Sequence, residues 1–328
     1  LPAILCTNLV FLLLSKWAYR RIIRRLYGRE FDLNAAPVYV ESHMTRAVYV
    51  HQIASVVTSN TDSVVLSLLS SLRDVTVYGN IALLISYPNT VIYRIIEGMR
   101  ATLALKITRG DDDSYAAFRQ LLAFAFFCIC AIIPVFLLLA NPFVSLWVGT
   151  GYQIELLPLV LFGLMLADLL LMPVIYAARD ARGLYAESQK FTVAQAIVNF
   201  VISVALAAPL GVTGVLIGTI AASYGVLQPG NFRLVYRTVF RRRMTIYYEL
   251  LIIAALCAAS YFAGGFLISR VAPGSGWLSL AVQAALCTVL AAAIAFTGLW
   301  LTHDGFRQLV RRFLVWRPAS HEQEDLKA

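Results

Sequence analysis

Arginine and lysine fall in every second gap between long apolar stretches of this chain. The basic gaps are Lys16–Arg46, Arg100–Arg119, Arg179–Lys190, Arg233–Arg243 and the tail from Arg307. The intervening gaps hold only Arg73 and Arg270, and Arg94 lies inside an apolar stretch. A water-soluble fold has no reason to alternate charge in this way, whereas membrane insertion does. Loops kept on the cytoplasmic side retain Lys and Arg, and translocated loops lack them. The pattern predicts an all-α polytopic protein, multi-pass in a bacterial inner membrane, with its basic gaps and C-terminus cytoplasmic.

Composition supports this class and excludes others. The chain is 60% hydrophobic and 14% charged, against roughly 45–50% and 25% for soluble domains. Its net charge of +9 is divided among short loops rather than gathered on one face, which argues against nucleic acid and for membrane lipids as neighbours. Cys6, Cys128, Cys130, Cys257 and Cys287 all lie in apolar stretches and read as small hydrophobic filler. The spacing of Cys128 and Cys130 is not that of a metal site, and no cofactor is expected. Leu1 opens inside an apolar run without a basic start, so the chain is expected to begin within a helix, as a fragment of a longer one.

A helix needs about twenty apolar residues to cross the hydrocarbon. About nine spans are predicted, at 1–17, 48–70, 75–98, 120–146, 156–178, 191–209, 212–232, 248–268 and 277–302. Phe191–Phe232 contains no Asp, Glu, Lys or Arg and is long enough to cross twice, with Pro209-Leu-Gly211 as the turn. An odd number of spans places the two ends on opposite sides. The expected organisation is a helix over 1–17, a basic cytoplasmic linker over 18–47, an eight-helix bundle over 48–302 and a cytoplasmic tail over 303–328.

Ionisable groups at membrane depth are costly, so each is a functional candidate. Asp62 sits in the six-residue polar run Thr58–Ser63, which wraps the helix and cannot all face lipid. Asn60 and Asp62 are expected to line a polar cavity; the alternative is an Asp62 satisfied by hydroxyls of neighbouring helices. Arg94 has three readings: a local pair with Glu97 at i, i+3, a side chain snorkelling to the headgroups, or a phosphate contact in a cavity. Asp168 has no cation within helical reach and reads either as a glue between helices or as an ion-coupling group. Asn80, Gln195 and Asn199 read as helix glue. Asp111-Asp112-Asp113 reads as a solvated acidic turn before a magnesium site. The loops of the translocated side are short and carry no paired acids, so no enzyme is expected.

The sequence resembles the bacterial polysaccharide flippases, the O-antigen and exopolysaccharide exporters of the MOP superfamily, which also holds the MATE exporters and the lipid II flippase. The matching residues are Thr58-Ser-Asn-Thr-Asp62, Val75-Thr-Val-Tyr78-Gly79-Asn80, Phe143-Val-Ser-Leu-Trp147-Val-Gly149-Thr-Gly-Tyr152, Asn199 and Gly211-Val-Thr-Gly214-Val-Leu-Ile-Gly218-Thr. The resemblance covers roughly residues 40–240. It implies the last nine helices of a fourteen-helix, two-lobed transporter, with 1–17 ending a missing first lobe. It further implies an undecaprenyl-diphosphate-linked oligosaccharide as substrate, moved by alternating access, with polysaccharide-assembly proteins as partners. Two other readings stand beside it: a MATE-type cation-coupled drug exporter, with Asp62 and Asp168 as coupling carboxylates, and an integral-membrane glycan polymerase or glycosyltransferase.

Overall fold

The computed structural model describes residues 61–271 and 276–315, together with Leu14, Ser15, Trp17 and Arg21. The chain forms two compact units, Leu1–Thr45 and Arg46–Ala328. In the first, the Arg21 guanidinium lies 5.1 Å from the centre of the Trp17 ring. The predicted spans 1–17 and 48–70, the linker 18–47 and Asn60 lie wholly or largely outside the described residues.

The second unit is a helical bundle. Its elements are α1 (61–69), α2 (Leu72–Arg109), α3 (Ser114–Trp147), α4 (Leu156–Ala181), α5 (Tyr185–Ala222), α6 (Gln228–Leu234), α7 (Ile246–Val271), α8 (Trp277–Thr302) and α9 (Asp304–Val315). No strand occurs among the described residues. Among the described residues six helices are long and apolar enough to cross a membrane, counting the continuous run Tyr185–Val239 as one. Helix α4 forms the centre: Phe162, Leu166, Leu170, Val174 and Ile175 are buried, and it packs against α2, α3 and α5.

The Tyr185–Val239 run is two antiparallel legs. Gly211, at φ 53° and ψ −130°, breaks the helix two residues after Pro209, as the Pro209-Leu-Gly211 turn predicts. Ser203 Oγ then donates to the Val215 carbonyl at 3.3 Å. The legs approach so closely that a Cβ on Gly214 would stand 2.1 Å from the Leu206 carbonyl oxygen, and one on Gly218 2.3 Å from Ser203 Oγ. This small-xxx-small spacing lets helix backbones meet inside a membrane.

Several helices outrun their predicted spans. Helix α2 continues through Arg100 to Arg109, because Leu103 and Ile107 keep burying an apolar face. The gap Arg100–Arg119 is therefore mostly helix, folded at the turn 110–113. At the other end, Ser71 caps α2 by accepting from the Asp74 N–H at 3.1 Å, the arrangement expected of Ser-x-x-Asp.

The two sets of gaps collect on opposite faces of the bundle. On one face Arg73 Nη2 donates to the Gly151 carbonyl at 2.9 Å, Gly211 sits against Asp74, and Phe143 meets Trp277 edge-on at 5.6 Å. On the other, Arg100 Nη2 reaches Asp180 Oδ2 at 2.5 Å, Lys106 pairs with Asp113, and Arg119 pairs with Glu249. The charge alternation thus has a geometric counterpart in a short-loop face and a basic face.

Candidate functional site

Three side chains from three helical segments bond to Asp62, and a fourth, Ser203, bonds to one of them. Tyr78, on α2, donates its hydroxyl to Asp62 Oδ2 at 2.9 Å. Thr219, on the second leg of the hairpin, donates to the same oxygen at 3.0 Å. Asn199, on the first leg, reaches Oδ1 with its amide nitrogen at 3.5 Å, and Ser203 Oγ donates to Asn199 Oδ1 at 2.9 Å. Asp62 retains only 4% exposure. Thr219 lies eight residues from the Gly211 turn, which at 1.5 Å per residue places the cluster about 12 Å below the short-loop face.

Asp62 is therefore enclosed by hydroxyl and amide groups rather than standing on an open wall, which is the second of the two arrangements the sequence allowed. Asn199, read as helix glue, is part of the same network. The cluster gathers a carboxylate, three hydroxyl oxygens, an amide oxygen and the nearby Val215 carbonyl. These are oxygen donors, the ligand type of hard cations, and a carboxylate so placed can hold either a proton or a small cation.

A second carboxylate, half-buried, lies at the middle of α4. Asp168 accepts from Ser223 Oγ at 2.8 Å and from Gln228 Nε2 at 2.6 Å. Ser223 and Gln228 are five residues apart, and in a regular α-helix they would point about 140° away from each other. The π-helical turn Ser223–Leu227 brings them to one side, with the Gln228 N–H bonded to the Ser223 carbonyl. Pro229 follows directly and has no N–H to give to an α-helical bond. The contribution of this turn is not visible in the residue spacing.

Arg94 does not pair with Glu97. Glu97 is taken by Arg100 at 3.3 Å, because Arg100 also reaches Asp180 and stands between the two acids. Arg94 is exposed on α2, on a stripe with Thr76, Leu83, Tyr87 and Thr90. Six residues separate it from Arg100, so it lies about 9 Å inside the basic face. Among the described residues no carboxylate pairs with it.

The acidic turn 111–113 joins α2 to α3. Asp113 stands at the N-cap position of α3, and the hydrogen bond from Lys106 holds its carboxyl below the usual carboxylate range. Among the described residues no group of three or more His, Cys, Asp or Glu side chains is placed to hold a metal ion. The four described cysteines are free thiols.

Comparison with protein-family models finds no match, and comparisons with curated proteins and with solved structures find no significant match. The class defined by the fold is a multi-pass, all-α membrane protein.

Proposed function

We propose that the protein is a flippase that carries lipid-linked oligosaccharide across the bacterial inner membrane by alternating access, its C-terminus cytoplasmic. In this reading the described bundle is the second lobe of a fourteen-helix transporter, and the nine predicted spans are its last nine. The observation that carries it is Arg94. An exposed guanidinium about 9 Å inside the basic face, with polar Thr76, Tyr87 and Thr90 along the same stripe, is costly against lipid alone. A diphosphate brought to that stripe would satisfy it through paired N–H···O bonds. The sugar would follow the hydroxyl-bearing side chains while the polyprenyl tail stays in the bilayer.

A second reading rests on a different observation, the enclosed oxygen cluster at Asp62. It supplies what a cation-coupled exporter needs, a buried carboxylate whose occupancy by H⁺ or Na⁺ alters how α1, α2 and the hairpin pack together. The two readings are compatible if the cluster drives the flipping step. Catalysis is not part of either.

The test is surface-glycan export in cells carrying Arg94→Ala, Arg94→Lys or the parent chain. Arg94→Ala is expected to abolish most export at unchanged membrane abundance, and Arg94→Lys to restore part of it, since an ammonium binds phosphate without the bidentate geometry. Full export by Arg94→Ala would overturn the reading.

A further inference from the structure

The cations of the basic face fall into two groups. Arg100, Lys106, Arg119, Arg179, Arg307 and Arg312 each have a carboxylate within ion-pair distance. The others have none among the described residues, and they include Arg237, Arg241, Arg242 and Arg243. These four line a cleft of about 510 Å³ with Met244. Arg241 also borders a second cleft of about 660 Å³, which includes Arg182, Asp112 and Thr238. Arg237, Arg241 and Arg243 are exposed. Arg242 is exposed as well, but its backbone N–H bonds to the Tyr236 carbonyl at 2.8 Å and its guanidinium lies 5.5 Å from the centre of the Tyr115 ring, which turns it towards that ring.

The backbone at this point is unusual. Arg241 has φ 53° and is the one non-glycine residue with positive φ among the described residues. It occupies the left-handed position after a helix end, with the following N–H turned back onto the last helical turn, where glycine is the usual residue. A side chain is kept where its absence would relieve the backbone.

The surroundings fix the depth. Tyr247 and Tyr248 follow on the first turn of α7, with Tyr248 70% exposed. Leu251 comes one turn later and is equally open. Tyrosine marks the membrane–water interface, so the arginine cleft lies one turn outside it, at headgroup level.

We propose that Arg237, Arg241 and Arg243 form a binding site for the phosphate of an anionic phospholipid, whose acyl chains run down the exposed face of α7 past Tyr248 and Leu251. Charge complementarity selects the headgroup, because three guanidinium groups without counter-ions among the described residues meet a phosphodiester. The exposed apolar face of α7 selects a lipid over a soluble phosphate. The Asp112 carboxylate in the adjoining cleft disfavours a ligand that spreads beyond one headgroup.

The experiment follows thermal unfolding of the full chain in neutral detergent with added phosphatidylglycerol, phosphatidylcholine or inorganic phosphate. Phosphatidylglycerol is expected to raise the midpoint by several degrees, and the other two to leave it unchanged. Arg241→Gly is the decisive variant. It relaxes the backbone, so the lipid-free midpoint holds or rises, while the phosphatidylglycerol shift falls to less than half. Arg237→Gln/Arg243→Gln is expected to lose most of the shift, and Arg270→Gln, on the short-loop face, to keep it. An undiminished shift in Arg241→Gly and Arg237→Gln/Arg243→Gln, or an equal response to inorganic phosphate, would overturn the proposal. Neither result bears on glycan export, which is read separately through Arg94.

Discussion

Tyr78 and Asp62 stand on neighbouring helices and share one hydrogen bond of 2.9 Å, hydroxyl to carboxylate, in the buried interior of the bundle. Loss of Asp62 would leave the Tyr78 hydroxyl without its acceptor. The Thr219 hydroxyl and the Asn199 amide close the remaining sides, so the carboxylate joins α1, α2 and both legs of the hairpin.

Asp62→Asn keeps the shape and removes the charge. If the cluster holds a monovalent cation, sodium chloride should raise the unfolding midpoint of the parent chain relative to choline chloride, and Asp62→Asn should show no such difference. A sodium response that survives in Asp62→Asn would move cation binding elsewhere. Asp62→Ala, which leaves the buried Tyr78 hydroxyl without an acceptor, should cost about 1–3 kcal/mol of stability in either salt.

Gly214→Val should be among the most damaging single changes. Its Cβ would meet the Leu206 carbonyl oxygen at 2.1 Å, and backbone cannot rotate aside as a side chain can. The hairpin legs must separate, at a cost of about 3 kcal/mol. Gly79→Ala is the control: nothing lies within 4 Å of the added Cβ, and alanine in a helix gains about 0.5–1 kcal/mol over glycine. Denaturation in mixed detergent ranks the two, and equal midpoints would contradict the close approach.

Much of this architecture is legible in the sequence, for a physical reason. Lys and Arg record which loops crossed the membrane, so the gaps around Arg73 and Arg270 fall on one face and those around Arg100 and Arg241 on the other. Pro209 and Gly211 announce the hairpin because a charge-free run must turn somewhere. Helix ends are less legible: α2 runs on to Arg109 because Leu103 and Ile107 stay buried, and hydropathy alone does not register a basic helix leaving the membrane. The partners of Asp62 come from far along the chain, and only packing selects Asn199 over other polar residues at similar depth. The meeting of Asp168 with Gln228 depends on a π-helical turn, which ordinary helical spacing hides. Arg94 is legible as a cation inside an apolar stretch, but the preference of Glu97 for Arg100 needs the position of Asp180.

The turn 110–113 should respond to acid with a defined sign. Asp113 titrates below the usual carboxylate range because Lys106 donates to its ionised form. Its contribution is complete above the ordinary Asp value of about 3.9 and fades as pH falls through the lowered one. Carbon-13 NMR of the Asp113 carboxyl should therefore report a midpoint below that of a model peptide, rising towards it in Lys106→Gln. A midpoint unmoved by Lys106→Gln would break the assignment.

Arg119 and Glu249 carry the sharpest stability prediction. They pair across α3 and α7 with side-chain exposures of 17% and 9%, and Thr245 adds a hydroxyl to the same carboxylate oxygen at 2.8 Å. His303 completes the group. Its Nδ1 accepts from the Phe306 N–H at 3.2 Å, so in the neutral ring the proton sits on Nε2, which faces Glu249 Oε2 at 3.6 Å. Arg119→Met removes the only full cation paired with Glu249 among the described residues and leaves a buried carboxylate, at a cost of about 3–5 kcal/mol. The double variant Arg119→Met/Glu249→Gln removes both charges and should recover most of that loss, because desolvation of an ion pair offsets much of its attraction. Chemical denaturation of the parent, both single variants and the double variant measures the coupling. A double variant no more stable than Arg119→Met would mean that the cluster acts through packing of the arginine stem, and not through charge.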